Sequence, residues 1–170
     1  MKAPLIVAGP GIEPGTSQSL AYLYDIFPTV VELVGGQVPA GLDGKSLASV
    51  MRQPAGQVRD SVFLAYRDVQ RAVRQGDWKL IRYPKADVTQ LFNVRVDPHE
   101  LNDLSGVPDQ SPRVDKLLAR LGELQEQFHD PDSLTVESPS SVKVDTEFFE
   151  REVKKADESR RRRRNRPKLP

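Results

Sequence analysis

Hydrophobic residues along this chain follow three successive rhythms. The first is a continuous run, Pro4-Leu5-Ile6-Val7-Ala8, closed by Gly9-Pro10-Gly11. An unbroken apolar run ended by turn residues predicts a strand buried on both faces. The second rhythm places Ile26, Val30, Leu33 and Val34 on one stripe and predicts a helix from about Asp25 to Val34. Asp25 stands at its N-cap, Pro28 falls in its first turn, and Gly35-Gly36 supplies a left-handed stop. A loop with Pro39, Gly41 and Gly44 then leads to a short helix near Ser46–Met51.

The third rhythm, from Ser61, alternates with a period of two. Val62–Tyr66, Val69–Arg74, Trp78–Tyr83 and Gln90–Val94 read as four strands, the middle pair joined by the three-residue loop Gln75-Gly76-Asp77. Within Trp78–Tyr83, alternation puts Trp78, Leu80 and Arg82 on one face and Lys79, Ile81 and Tyr83 on the other. Helical spacing returns in Val114, Leu117, Leu118, Leu121, Leu124 and Phe128, with Ser111 as cap and Pro112 at the first position. These elements predict an α+β unit, a four-stranded antiparallel sheet packed with a C-terminal helix.

Beyond Asp132 the pattern thins. Pro139 and four serines between residues 133 and 141 suggest a linker, and Thr146–Asp157 reads as a helix without much of a core face. Five consecutive arginines, Arg160 to Arg164, repel one another and predict disorder. The expected division is therefore 1–55, 56–132 and 133–170.

Charge sharpens that division. The net charge of +1 is the balance of an acidic body and a basic tail: residues 1–150 hold 15 Lys and Arg against 21 Asp and Glu, and residues 151–170 hold 10 against 3. With no cysteine, a disulfide framework, a thiolate metal site and a catalytic cysteine are excluded, and two histidines, His99 and His129, leave little for a metal centre. No metal-ligating residue is selected. Neither histidine has an acid or serine at catalytic spacing, so both read as turn or helix-end residues. The apolar run at Pro4 is too short for a membrane span and lacks the features of a signal peptide.

Several segments resemble one family in its own order. Ala3-Pro4-Leu5-Ile6-Val7-Ala8-Gly9-Pro10-Gly11-Ile12 is similar to V-P-L-I-V-x-G-P-G-I. Asp25-Ile26-Phe27-Pro28-Thr29, continuing through Leu33 to Gly35, resembles D-x-x-P-T-x-x-x-L-x-G, and Leu42-Asp43-Gly44-Lys45-Ser46-Leu47 resembles L-D-G-x-S-L. Arg71-Ala72-Val73-Arg74-Gln75-Gly76-Asp77-Trp78-Lys79-Leu80-Ile81 is similar to R-A-V-R-x-G-x-W-K-L-I. Leu91-Phe92-Asn93-Val94 with Asp97-Pro98-His99-Glu100, Asn102 and Leu104 resembles L-Y-D-L-x-x-D-P-x-E-x-x-N-L. These are C-terminal landmarks of the sulfatase family (arylsulfatase and N-sulphoglucosamine sulphohydrolase type), within the alkaline-phosphatase-like superfamily. The resemblance covers residues 1 to about 132.

The resemblance implies an α/β fold in the complete enzyme, with residues 1–55 ending its large domain and residues 56–132 forming its smaller C-terminal one. It implies hydrolysis of sulfate esters or sulfamates on sulfated sugars or aryl sulfates. A complete enzyme of this type is expected to use calcium and a formylglycine made from a C/S-x-P-x-R motif, and such enzymes are often exported or periplasmic. No such motif is present; Ser111-Pro112-Arg113 lacks the intervening residue. The chain therefore resembles the C-terminal part of a sulfatase, Met1 fits an internal methionine of that region, and no catalytic residue is expected from it.

The resemblance makes Arg71, Arg74 and Trp78 candidates for bordering the substrate cleft, since a guanidinium suits a sulfate and an indole suits a sugar ring. The plainer reading has both arginines exposed and balancing Asp68 and Asp77, and Trp78 anchoring the sheet to the helix of Leu117 and Leu121. Arg160, Arg161, Arg162, Arg163, Arg164, Arg166 and Lys168 are candidates for non-specific polyanion contact. The rival expectation is a non-enzymatic interaction protein that uses this basic arm.

Overall fold

The structure, a computed structural model, describes residues 4–140. The helix expected at Thr146–Asp157 and all seven polyanion candidates lie outside the described residues.

Among the described residues, three α-helices and four strands form in the order α1 (Ile26–Leu33), α2 (Ala48–Arg52), β1 (Ser61–Tyr66), β2 (Gln70–Gln75), β3 (Trp78–Tyr83), β4 (Val88–Asn93) and α3 (Ser111–Gln127). The strands pair in sequence order as an antiparallel meander. Pairing of Gln75 with Trp78 leaves Gly76-Asp77 as a two-residue loop, one shorter than expected. Gly76 has φ +56, the left-handed first position that a II′-type turn requires. Strand β2 starts one residue later than the alternation suggests, because Arg67 adopts φ +48 and the Tyr66–Val69 turn absorbs Val69.

Register puts Phe63, Val73, Leu80 and Leu91 in one row across the sheet. Helix α3 lies on that row, and Leu117, Leu121 and Leu124 complete the main core with Val73, Leu80 and Leu91. Ala72, Ile81, Phe92 and Val94 form a second buried cluster on the opposite face. The expected sheet packed with a C-terminal helix is therefore the observed fold. Ser111 does not cap α3 but is its first residue; a 3-10 turn over Pro108–Gln110 leads directly into the helix and Gln110 holds the cap position.

Both sheet edges are blocked at one residue each. The Tyr22 hydroxyl accepts from Phe63 N–H and donates to Phe63 C=O, occupying both outward groups of β1 at that point. On β4, Leu91 N–H donates to Asp103 (3.0 Å) and Leu91 C=O accepts from Leu104 N–H (2.8 Å). Such contacts stop another strand from adding there.

Within the first fifty residues the two expected helices form as α1 and α2, but the strand and the burial of α1 differ from expectation. Pro4–Ala8 belongs to no strand, because no neighbouring strand exists for it among the described residues. Helix α1 buries Pro28 and Thr29, while Ile26, Val30 and Leu33 of its apolar stripe remain exposed. Its outward face is the hydrophobic one.

Candidate functional site

Residues three apart on a strand point to opposite faces, so Arg71 and Arg74 cannot meet one ligand from the same side. Arg71 lies on the α3 face at 3% exposure, which corrects its reading as an exposed strand residue. Its Nε donates to Asp130 Oδ2 (2.6 Å) and one Nη to Asp130 Oδ1 (2.9 Å) and to Asp132. The other Nη donates to the carbonyls of Gln70 (3.0 Å) and Arg67. All five N–H groups are thereby engaged. The Arg71 hydrogen bond holds the Asp130 carboxyl below its usual range.

Arg82 sits directly opposite Arg71 and is used the same way, donating to Leu134 C=O (2.9 Å), Thr89 Oγ1 (3.1 Å) and Asp87. Together the two arginines fasten the segment after α3 across the end of the sheet. His129, with φ +52, makes the turn that begins this segment, a helix-end role as expected.

Trp78 also faces α3. It packs against the cluster of Leu117 and Leu121, and the Arg113 guanidinium lies 4.0 Å from its ring centroid. One face of the indole is therefore covered by a cation.

Arg74 projects from the other face, directly opposite Lys79. Lys79 is answered by Glu100 (2.5 Å), whereas Arg74 donates through Nε to Gly76 C=O (3.2 Å). Its terminal Nη groups have no partner among the described residues, and no described side-chain polar atom is both buried and unpartnered. They are therefore open to solvent. Of the two arginine candidates, only Arg74 offers unused guanidinium donors.

A second polar cluster escaped the sequence reading. Asp25 is fully buried, and its carboxylate accepts from Arg59 Nη (2.7 Å to Oδ1, with a second bond to Oδ2), Tyr22 N–H (2.6 Å) and Lys45 N–H (2.8 Å). Burial pushes this carboxyl up, but the Arg59 hydrogen bonds and the two N–H donors outweigh it and hold it below its usual range. Asp25 does not cap α1 with its side chain; the carboxylate turns back to Tyr22 and across to Arg59. Thr29 Oγ1 donates to Asp25 C=O (2.6 Å) and accepts from Leu47 N–H (2.8 Å). A Cβ on Gly44 would sit 2.9 Å from Tyr24 C=O, so the loop approaches too closely for a side chain.

The D-x-x-P-T and L-D-G-x-S-L segments are thus one structural latch, tied to the sheet through Arg59. Asp97 behaves similarly in its turn: N–H donors from Asn102 (2.8 Å) and Leu101 (2.9 Å) satisfy it, and the Asn102 bond pulls its pKa down despite some desolvation. Calcium takes 6–8 oxygen ligands. The carboxylates of Asp25, Asp97 and Asp130 are already committed to N–H donors and do not fit that ion, and among the described residues no three His, Asp or Glu side chains are grouped to hold a metal.

The geometry describes a supporting α+β module: a braced sheet and helix, a helical segment latched to it, and Arg74 with open donors on the sheet face away from α3. Residues 1–127 match the family described as N-sulphoglucosamine sulphohydrolase, C-terminal, and the chain belongs to that sulfatase family. It is 32% identical over 118 residues to an uncharacterised Haemophilus influenzae protein, covering 66% of this chain and 60% of that one. It is 29% identical over 145 residues to the N-acetylglucosamine-6-O-sulfatase of Bacteroides thetaiotaomicron, covering 77% of this chain and 26% of the enzyme. Among solved structures, it resembles BT4656 in complex with its substrate D-glucosamine-2-N,6-O-disulfate: TM-score 0.55, 25% identity, 66% of this chain and 25% of that one. The chain thus spans about a quarter of the length of these last two relatives.

Proposed function

We propose that this chain serves as the C-terminal part of an enzyme that hydrolyses sulfate esters or sulfamates on sulfated sugars, N- and O-sulfated glucosamine above all. The observation that carries this reading is the family match across residues 1–127, supported by the likeness to BT4656 and the Bacteroides sulfatase. In this reading the nucleophile and calcium ligands come from outside residues 4–140. The chain contributes shape and one charge. Arg74 presents its open Nη groups to an anionic oxygen pair of the substrate, a geometry that suits a planar guanidinium. Arg71 and Arg82 hold the hairpin carrying Arg74 to the segment that follows α3.

The purified chain alone should release no sulfate from 4-nitrophenyl sulfate or from D-glucosamine-2-N,6-O-disulfate. Placed in the Bacteroides N-acetylglucosamine-6-O-sulfatase in exchange for the matched region, residues 1–132 should support turnover. Arg74→Gln in that chimera should raise KM several-fold with little change in kcat, since a uniform binding contact is lost. Turnover by the isolated chain, or an Arg74→Gln chimera with unchanged KM, opposes the proposal.

A further inference from the structure

We propose that the tip of the β2–β3 hairpin is a binding site for an acidic glycan, with Arg74, Arg95 and Arg113 meeting anionic groups on successive sugars. The class of ligand rests on the sulfated-sugar reading above, which Arg95 and Arg113 extend beyond a single sugar.

Three consecutive residues at this tip each hold one guanidinium. Gly76 C=O accepts from Arg74 Nε (3.2 Å), Asp77 Oδ2 lies 3.2 Å from Arg95 Nε, and the Arg113 guanidinium stands 4.0 Å from the Trp78 ring centroid. A bond from Val94 N–H to Asp77 C=O (2.8 Å) brings Arg95 to the turn, and Arg113 Nε donates to Gln110 Oε1 (3.0 Å). Each holding contact uses Nε or the flat face of the guanidinium. The terminal Nη groups of all three make no hydrogen bond to a described residue, and none of them is both buried and unpartnered, so they open to solvent. Other arginines of the described residues behave differently. Arg52, Arg59, Arg71, Arg82 and Arg120 each commit an Nη to a carboxylate. Arg67 lies over Tyr66, at the opposite end of the sheet.

The layout selects the ligand. Arg74 stands on the sheet face away from α3 and Arg113 on the α3 side, so one compact anion cannot meet both. A chain that crosses the tip and carries anions at intervals can. Guanidinium forks suit the oxygen pairs of sulfates and carboxylates. Lys79 beside Arg74 is already taken by Glu100. The Arg95–Asp77 pair is a surface one, 74% and 46% exposed, and such pairs are weak enough to exchange for another anion. The tip is therefore a local excess of positive charge on an acidic body, where residues 1–150 hold 15 Lys and Arg against 21 Asp and Glu. A nucleic-acid strand also offers repeated anions, but unselective binding of single strands relies on aromatic platforms for the bases. The single tryptophan has one face covered by Arg113 and the helix cluster against it.

NMR titration of the isotope-labelled full chain tests this at physiological ionic strength, where the steep salt dependence expected of residues 160–168 weakens the basic arm. A heparin hexasaccharide should shift the Gly76 amide and the Trp78 indole N–H together. Its dissociation constant at the tip should be on the order of 1 mM, too weak for column retention, because exposed ion pairs are individually weak. D-glucosamine-2-N,6-O-disulfate should bind the tip at least fivefold more weakly, since it reaches one side only. Arg95→Gln and Arg113→Gln should each weaken the hexasaccharide several-fold, and Arg95→Gln should leave the urea midpoint in place. The proposal is overturned if neither signal moves at ten times the expected dissociation constant, or if the monosaccharide binds the tip as tightly. Unchanged affinity in both variants, or tighter binding of a single-stranded DNA of matched charge, overturns it as well. Binding is read on the chain alone and turnover on the chimera, so this proposal and the reading it rests on fail separately.

Discussion

Arg59→Met removes the counter-charge of a carboxylate with no solvent exposure. Breaking one side of a buried pair typically costs ~3–5 kcal/mol, because the remaining charge stays desolvated. Asp25 keeps the N–H donors of Tyr22 and Lys45, which places the loss toward the lower end. The variant also loses the guanidinium 4.7 Å from the Tyr22 ring centroid and its bond to Leu20 C=O (3.2 Å). The expected destabilisation at pH 7 is about 3–4 kcal/mol, or roughly 10 °C in midpoint for a chain of this size. Urea unfolding followed by the fluorescence of Trp78, the single tryptophan, measures it.

The pH dependence supplies an internal check. In the native chain the folded Asp25 pKa lies below its unfolded value, so its contribution is present above the unfolded pKa and lost as pH falls through the folded one. In Arg59→Met burial dominates and raises the carboxyl. The contribution is then fully present below the unfolded pKa and lost as pH rises through the raised folded value. The gap between the two proteins should therefore be widest at pH 7 and shrink toward pH 4. A gap under about 1 kcal/mol, or one constant between those pH values, refutes the latch.

Leu121→Ala, which opens a cavity where α3 meets Val73 and Leu80, should cost about 2–5 kcal/mol in the same assay. For the basic arm, deletion of residues 159–170 should abolish retention on heparin and duplex DNA at low salt without moving the urea midpoint. If all seven cations met phosphates, DNA affinity would fall with a log–log salt slope of about −6; retention unaffected by the deletion removes the arm from any polyanion role.

Where the elements were legible, partners were close in sequence. The stripe Leu117, Leu121 and Leu124 and the alternation of Trp78–Tyr83 each needed a neighbour within the same unit, and both found it. Pro4–Ala8 has a two-sided apolar character that the sequence displays, but no strand lies beside it among the described residues, and periodicity alone does not supply a neighbour. The Asp25–Arg59 pair joins residues 34 apart, and no periodicity links a buried aspartate before a helix to an arginine before a strand. Strand parity does separate Arg71 from Arg74, a consequence of period two that residue type alone obscures. What parity could not supply was the commitment of Arg71, because Asp130 and Asp132 reach it only after α3 has crossed the sheet.

The central claim, that this chain completes a sulfatase, is tested most directly by sulfate release from the Bacteroides chimera carrying residues 1–132. Measured on D-glucosamine-2-N,6-O-disulfate beside the enzyme truncated before the matched region, the chimera should turn over at a rate well above the truncated form. A folded chimera no faster than the truncated enzyme contradicts the account.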